Sequence, residues 1–442
     1  MARIGHPATL APAVADPHTA DDLASRFAAV RQRTTELCAP LSIEDHVIQP
    51  MADASPAKWH LAHTTWFFET FVVASIASTA SDQVFDQAFD PSFDFLFNSY
   101  YEAVGPRVER ARRGLLSRPS LERVHAYRAA IDDRVLRALA AGALDDDARL
   151  RLELGLHHEQ QHQELILTDL KYTLGTQPLQ PAYRALPREP PAAPEPLAWH
   201  TEAGGIVELG AGAAGFAFDN ERPRHRVLLA PYRLATRPVA NAEILAFIAD
   251  GGYRDHRLWL SDGWHLVQTE RWEAPLYWAR RDGDWASYDL TGVRAVDPGE
   301  TACHLSLYEA DAVAHWLGAR LPTEAEWEHA ATTASLHGNF ADAERLHPDR
   351  ADALGVLGPG GPIRQLFGDV WEWTASSYSA YPGFRPLGGA LGEYNGKFMS
   401  GQHVLRGGSC FTPADHIRRS YRNFFPPAAR WQMTGMRLAS DV

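Results

Sequence analysis

Two histidines one helical turn apart are the residues best placed for chemistry. His158 and His162 frame the string HEQQH, which is also the H-E-x-x-H pattern of zinc proteases. Residues i and i+4 share one face of a helix, so both imidazoles can bind one metal ion. In a protease Glu159 would be the general base. The helix downstream has no third histidine, although Glu164 and Asp169 could serve as ligands.

A second histidine pair offers another source for the third ligand. His60 and His63 lie three positions apart in an earlier helical segment, and a helix bundle brings such segments together. Three neutral nitrogen donors with open positions suit Fe(II), Cu or Zn, and histidines alone do not choose the metal. The alternative to a metal site is that His158 and His162 lie on a solvent-exposed face of their helix. The apolar string ELILTDL after His162 favours a buried site, because burying an imidazole costs free energy unless it is ligated or hydrogen-bonded.

Four helical segments are predicted to position these histidines in an antiparallel bundle. Apolar residues recur at helical spacing, and Ser55, Ser120 and Asp145 read as N-caps. Gly175 reads as a stop signal. Residues 85–119, rich in aromatics, Asp, Pro and Gly, predict a long ordered loop of the kind that is often functional. The predicted helices are residues 20–38, 55–78, 120–141 and 145–174.

A change of character after the bundle predicts a second domain. Seven prolines between residues 178 and 196 indicate a stiff, extended linker. Glycine, tryptophan and short β-like runs then dominate, which favours an irregular α+β domain. The predicted division is a helical metal-binding domain at 1–177, a linker at 178–198 and an α+β domain at 199–442.

Composition excludes several classes of function. With 42 Lys and Arg against 55 Asp and Glu, the net charge is −13, so we expect neither nucleic acid nor membrane as a partner. Three widely separated cysteines, Cys38, Cys303 and Cys410, exclude a disulfide scaffold and a Cys-rich zinc site. No apolar run of about 18 residues occurs and no secretory leader is recognisable, so a cytoplasmic location is expected. The oligomeric state stays open.

Five strings, in order along the chain, resemble the sulfoxide synthases of ergothioneine biosynthesis. The first part of the chain is similar to a DinB-like four-helix bundle. The second part is similar to the C-type-lectin-like domain of formylglycine-generating enzymes and sulfatase-modifying factors, and the implied fold class is therefore α+β. The strings are SPAKWHLAHTTWFFE, LHHEQQHQELIL, GDVWEWTAS, VLRGGSC and YRNFFPP followed by GMRLA.

The resemblance implies a non-haem Fe(II) enzyme. Such an enzyme uses O₂ to join a thiol to imidazole C2 of hercynine (Nα-trimethylhistidine) and oxidises the sulfur to a sulfoxide. Carried over to this sequence, the iron ligands are His63, His158 and His162, whereas His60 and His157 are not ligands. This assignment argues against a protease.

Three residues are implied as the hercynine site. Gln161 matches the residue that hydrogen-bonds the substrate imidazole, and a neutral amide suits that task. Asn423 and Phe424 match the pair that cradles the trimethylammonium group, which an aromatic face attracts. The family often has Trp at the second position. Phe425 stands where the branch that uses γ-glutamylcysteine has an acidic residue, which favours free cysteine as the thiol donor.

The carboxylate of cysteine requires a cation, and the string GPRVERARRG supplies four arginines. Within that string, Arg107 and Arg112 are the predicted anchors. A phenol is predicted to give a proton near the iron, and the adjacent pair Tyr100 and Tyr101 is favoured over Tyr394.

Other functions remain as alternatives. They are γ-glutamylcysteine as the thiol donor, an ovothiol-type histidine–cysteine sulfoxide synthase, and a selenoneine synthase. A different class is a zinc-dependent DinB-like thiol transferase or hydrolase, and another is a non-catalytic binding module.

Overall fold

Long helices form the N-terminal part of the chain. The computed structural model describes residues 20–77, 88–187, 190–351 and 363–442. Within these ranges a π-helical turn, Glu69–Val73, joins the second helix to the third. The helices are α1 (Ala20–Cys38), α2 (Ala57–Phe68), α3 (Ala74–Ala77), α4 (Phe93–Phe97), α5 (Leu121–Ala140) and α6 (Asp146–Thr176).

The predicted helix caps are confirmed at two of three positions. The Ser120 hydroxyl accepts a hydrogen bond from the third backbone N–H of α5, and the Asp145 carboxylate does the same for α6. The cap predicted for α2 is wrong, because Pro56 occupies the cap position there. The Ser55 hydroxyl instead accepts a hydrogen bond from the Arg113 guanidinium at 2.9 Å. Residue 78, the predicted end of this segment, lies outside the described residues.

Gly175 does not end α6, which continues to Thr176. A Cβ atom at Gly175 would lie 2.6 Å from Cδ1 of Tyr288 in the second half of the chain. Glycine is therefore required here by close packing between the two halves of the chain.

The helix α2 lies at the centre of the bundle. All of its 12 residues are buried, and it contacts α1, α5 and α6. A helix that is buried all round has no polar face to signal its orientation in the sequence. Its polar residues, including His60 and His63, therefore lie inside the protein and need partners there.

The second half of the described chain consists of short strands and helices, which confirms the α+β class. The strands are β1 (Trp199–Glu202), β2 (Gly205–Leu209), β3 (His225–Leu229), β4 (Tyr232–Ala235), β5 (Trp278–Arg281), β6 (Asp284–Asp289), β7 (Gly292–Ala295), β8 (Trp371–Ser377), β9 (His403–Arg406), β10 (Asn423–Phe425), β11 (Thr434–Met436) and β12 (Ala439–Asp441). The helices are α7 (Asn241–Ala249), α8 (Ser261–Thr269), α9 (Leu307–Trp316) and α10 (Glu324–Ala331).

The strands of the described chain form four sheets. One sheet has the order β10-β9-β8-β11, with β11 parallel to β8. The others are a sheet of order β1-β4-β12, the meander β5-β6-β7 and the antiparallel pair β2-β3.

The helix α6 joins the two halves. The half-buried Glu164 carboxylate accepts hydrogen bonds from the Trp371 indole and from the hydroxyls of Ser409 and Thr412, at 2.7, 2.8 and 2.7 Å. A carboxylate satisfied in this way fixes the rotation of α6 against the second half of the chain.

The proline-rich segment has neither helix nor strand in its described residues, 178–187 and 190–198. It is packed rather than free, since the Tyr183 hydroxyl donates a hydrogen bond to the Leu37 carbonyl and its backbone N–H bonds the Leu290 carbonyl. The exact domain boundaries stay a prediction. No helix in the described ranges is both long and apolar enough to cross a bilayer.

Candidate metal centre and cavity

Three histidines converge at the middle of the bundle. His63 of α2 and His158 and His162 of α6 bring ligand nitrogens within 4.8 Å of one another. The Nε2 atoms of His63 and His158 lie 3.3 Å apart. Two nitrogens held about 2.0–2.1 Å from one ion, at angles between a right angle and tetrahedral, are about 2.8–3.4 Å apart. The observed separation therefore fits a single shared ion.

The ring of His63 is held by the helix that carries it. Trp59 stacks on it with ring centroids 4.5 Å apart, and Trp66 stacks with centroids 5.6 Å apart. His63 Nδ1 lies 2.6 Å from the carbonyl oxygen of Phe97. A carbonyl only accepts, so Nδ1 must carry the hydrogen and Nε2 keeps its lone pair for a metal.

The tautomer of His162 is set by a chain of two further residues. The Asp169 carboxylate lies 3.1 Å from His60 Nε2, and His60 Nδ1 lies 2.7 Å from His162 Nδ1. With both imidazoles neutral, His60 donates to Asp169 and accepts from His162. His162 Nε2 is then the atom left for the metal. A backbone N–H, that of Ser55, also donates to Asp169 at 2.8 Å.

Burial keeps the three candidate ligands neutral. Removal from water lowers the pKa of His63 and of His162 well below the ordinary value, and it lowers the pKa of His158 to about 3. Neutral imidazole is the form that binds metal. His158 Nδ1 is buried without a hydrogen-bond partner among the described residues. The three neutral imidazoles, together with the tautomers of His63 and His162, thus fit a divalent transition metal.

His60 is expected to support the metal site without touching the metal. In His60→Leu the hydrogen on His162 Nδ1 loses its acceptor, and the affinity for Fe(II) should fall about 10- to 100-fold. Anaerobic competition with a chromophoric chelator measures this affinity. His46→Leu is the control, because His46 is also buried but bonds the Ser42 carbonyl away from the site. Equal affinities in the two variants would contradict the assignment.

Glu159, the general base of the protease interpretation, faces away from the metal ligands. Its buried carboxylate lies 2.8 Å from Arg31 Nη1 and 3.0 Å from Arg128 Nη2, and it does not line the cavity described below. Burial alone would raise the pKa of Glu159, but the two guanidiniums outweigh it and hold the pKa below its ordinary value. Its role is a buried ion pair that joins α1, α5 and α6.

A cavity of about 340 Å³ opens between the two halves of the chain beside His158 and His162. Its walls come from α2 and the segment before it, from α6, from the segment between α4 and α5, and from the second half of the chain. The sequence-predicted residues on its wall are Tyr100, Gln161, Tyr394, Asn423 and Phe424.

Three residues predicted to bind a substrate or to donate a proton are not on that wall. The Tyr101 ring is fully buried beside Trp66 and Phe71. Arg107 forms an ion pair with Glu102 at 2.6 Å.

The third predicted residue that is not on the cavity wall is Arg112, and its side chain is exposed. Two neighbours in the same string, Arg110 and Arg113, line the cavity instead. The guanidinium of Arg113 lies 3.4 Å from the centre of the Trp59 ring, and it also bonds Ser55. Arg113 therefore supports the wall, whereas Arg110 is exposed and is available to a ligand.

Two residues of the cavity wall were not predicted from the sequence. Tyr421 lines the cavity and accepts a hydrogen bond from Gln161 Nε2 at 2.6 Å. Its position two residues before Asn423, inside the string YRNFF, was the available signal. The ring of Phe218 stacks on Tyr394 with centroids 5.4 Å apart. No motif marks Phe218.

Comparison with known proteins decides the family. The DinB superfamily profile matches residues 26–166, and the sulfatase-modifying factor enzyme 1-like domain matches 194–358 and 361–442. A hercynine oxygenase of Mycolicibacterium thermoresistibile is 34% identical over 97% of this chain and 96% of the relative. The chain belongs to the hercynine oxygenase family. The hercynine oxygenase of Mycobacterium tuberculosis is 33% identical over 96% of this chain and 99% of that protein.

The family assignment confirms both the resemblance and the fold class. A more distant relative, ergothioneine biosynthesis protein 1 of Schizosaccharomyces pombe, is 27% identical over 51% of this chain and 28% of its own length. The hercynine oxygenase relatives match across both halves of the chain, so the similarity includes the helices with the three histidines and the second-domain wall of the cavity.

Proposed function

We propose that this protein is an Fe(II)-dependent hercynine oxygenase that uses cysteine as the thiol donor. Hercynine C2–H, cysteine S–H and O₂ give the C2–S sulfoxide and water, so O₂ accepts the four electrons lost by carbon and sulfur. The observation that carries the proposal is the neutral three-histidine set beside a cavity between the two halves of the chain. Fe(II), when bound by His63, His158 and His162, supplies the redox chemistry with O₂.

The cavity wall suits a flat imidazole with a quaternary ammonium tail. Gln161 lies one position before His162 and presents an amide to the cavity, which can hydrogen-bond a neutral imidazole. The Phe424 ring stacks on Tyr378 with centroids 4.0 Å apart, so its orientation is held. Aromatic faces attract quaternary ammonium groups, and Asn423 adds a polar contact beside that ring.

Tyr394 is the proposed proton donor in place of the pair Tyr100 and Tyr101 that the sequence favours, and Tyr100 is the second candidate. The Tyr394 ring centre lies 5.8 Å from that of His158, and its hydroxyl donates a hydrogen bond to Gln161. Burial raises the pKa of both phenols above the ordinary value, so both keep their protons at neutral pH. A phenol that keeps its proton beside the metal site can donate it during the reaction.

Arg110 is the proposed anchor for the cysteine carboxylate, since it is the exposed arginine of its string on the cavity wall. A hydrogen-bonded charge pair contributes about 1.5–3 kcal/mol, so Arg110→Met should raise the KM for cysteine about 10- to 100-fold and leave kcat nearly unchanged. Steady-state kinetics with saturating hercynine measures both constants. Arg112→Met is the matched control, and an equal rise there would contradict the assignment.

O₂ consumption tests the function itself. After anaerobic reconstitution with Fe(II), uptake should require hercynine and cysteine together, and mass spectrometry should show the sulfoxide. Faster turnover with γ-glutamylcysteine would contradict the choice of cysteine. That choice is supported by Phe425 on the cavity wall, because its uncharged ring cannot pair with the charged groups of a second amino acid moiety. Faster turnover with histidine would favour the ovothiol-type enzyme. Activity of the zinc-loaded protein without O₂ would favour the thiol transferase.

A further inference from the structure

Four buried side chains and the half-buried Gln161 form a hydrogen-bonded line that ends at the cavity. The Tyr394 hydroxyl donates to Gln161 Oε1, and Gln161 Nε2 donates to the Tyr421 hydroxyl at 2.6 Å. The Tyr421 hydroxyl lies 3.0 Å from His416 Nε2, and His416 Nδ1 lies 3.0 Å from His157 Nδ1. The line crosses between the two halves of the chain three times.

Each hydrogen bond in this line needs one donor and one acceptor. Once one donor is known, the donor of every other bond in the line follows. With the Gln161 amide nitrogen toward Tyr421, the Tyr421 oxygen accepts and its own hydrogen is left for His416 Nε2. His416 then carries its hydrogen on Nδ1 and donates it to His157 Nδ1. In this state every contact has one donor and one acceptor.

The opposite direction would change the cavity. If His416 carried its hydrogen on Nε2, the Tyr421 hydroxyl would accept from it and would have to donate to Gln161. The Gln161 amide would turn over and present its NH₂ group to Tyr394. The Tyr394 hydroxyl would then lose its acceptor and direct its hydrogen into the cavity. One amide orientation therefore decides where the Tyr394 hydrogen points.

We propose that His416 and Tyr421 are positioning residues that fix the amide orientation of Gln161 and, through it, the direction of the Tyr394 hydroxyl. The inference rests on the proposed function, because Gln161 and Tyr394 are there assigned to the substrate and the proton. His416 does not line the cavity, so it acts only through its neighbours.

Packing makes the arrangement rigid enough for this role. His416 is 1% exposed and Tyr421 is 4% exposed. The Phe218 ring contacts three members of the line, with centroid distances of 5.4 Å to Tyr394, 5.7 Å to Tyr421 and 6.1 Å to His416. A buried polar network in which every member is satisfied specifies one arrangement.

Two substitutions at His416 separate positioning from packing. His416→Phe keeps a ring but removes both nitrogens, whereas the amide of His416→Gln can still accept from Tyr421 and donate to His157. We expect kcat to fall about tenfold in His416→Phe, as for loss of one buried hydrogen bond. We expect KM for cysteine to stay unchanged and His416→Gln to restore kcat.

A double-mutant cycle tests whether His416 acts through the amide. In a Gln161→Leu background, His416→Phe should cause no further loss of kcat, because nothing is left to orient. Losses that multiply, or an equal loss of kcat in His416→Gln and His416→Phe, would overturn the inference.

A measurement on the metal-free protein keeps this test independent of turnover. With glutamine side chains labelled with ¹⁵N, the Gln161 NH₂ signals are those that vanish in Gln161→Leu. They should be shifted and protected from exchange in the wild type and in His416→Gln, and lose that protection in His416→Phe. Unchanged signals in His416→Phe would overturn the inference. Tyr421→Phe, which removes only a hydroxyl, replaces His416→Phe if the latter does not fold.

Failure of the proposed function would give a different result. In that case the wild-type protein would not consume O₂ with hercynine and cysteine, while the amide signals would still respond to His416→Phe.

Discussion

His162→Ala is expected to abolish stoichiometric iron binding and, with it, O₂ consumption. His162 supplies one of three nitrogens within 4.8 Å of one another, and two imidazoles are too few to hold a divalent ion in a protein site. Loss of a supporting residue alone costs about 10- to 100-fold in metal affinity, so loss of a ligand should cost more than about 100-fold. Metal analysis after anaerobic reconstitution and gel filtration measures the bound iron.

The exposed His125 of α5 provides the matched control, and His125→Ala should keep both iron and turnover. Circular dichroism should show that both variants keep the bundle. Stoichiometric iron together with turnover in His162→Ala would refute the ligand set. Loss of turnover with full retention of iron would place His162 elsewhere in the mechanism.

Glu159→Ala is expected to lower the free energy of unfolding by about 3–5 kcal/mol, because removing one partner of a buried ion pair leaves the other charge uncompensated. Here two guanidiniums, those of Arg31 and Arg128, would stay buried without the carboxylate between them. Arg31 would keep a second partner, Asp132, at 2.7 Å. Urea denaturation followed by tryptophan fluorescence measures the loss.

The control is Asp147→Ala on the same helix, where an exposed carboxylate pairs with Arg151 at 2.6 Å. An exposed pair of this kind contributes at most about 1 kcal/mol. The folded fraction of Glu159→Ala should keep its turnover per iron, because Glu159 does not reach the cavity. A stable variant that binds iron but has lost all activity would instead support a general-base role for Glu159.

Local sequence was sufficient where the controlling interactions span only a few residues. The helices α1, α5 and α6 lie at their predicted positions within two residues at either end, since apolar period and caps act over one or two turns. The spacing of His158 and His162 likewise determined that both project from one face of a helix. At Gly175 the local signal failed, because close contact with a distant ring, not helix termination, requires glycine there.

Contacts between distant segments were decided by the tertiary structure. The residue pattern alone did not determine whether His60 or His63 is the third candidate metal ligand. In a helix that is buried on all sides, the sequence does not indicate which side chain points toward α6. Packing of α2 against α6 places His63 among the candidate ligands and His60 behind His162. The string GPRVERARRG has no period that indicates which arginine faces inward, and only the path of the loop brings Arg110 to the wall.

The sequence by itself determined the family, the α+β class and the spacing of His158 and His162 on one face of a helix. Short strings of residues are sufficient for that, because each string lies within one or two neighbouring elements of the fold. The tertiary structure alone decided the hydrogen-bonded lines from Asp169 to His162 and from His157 to Tyr394. Hydrogen-bond direction depends on atoms a few ångströms apart in space that come from segments hundreds of residues apart in the chain.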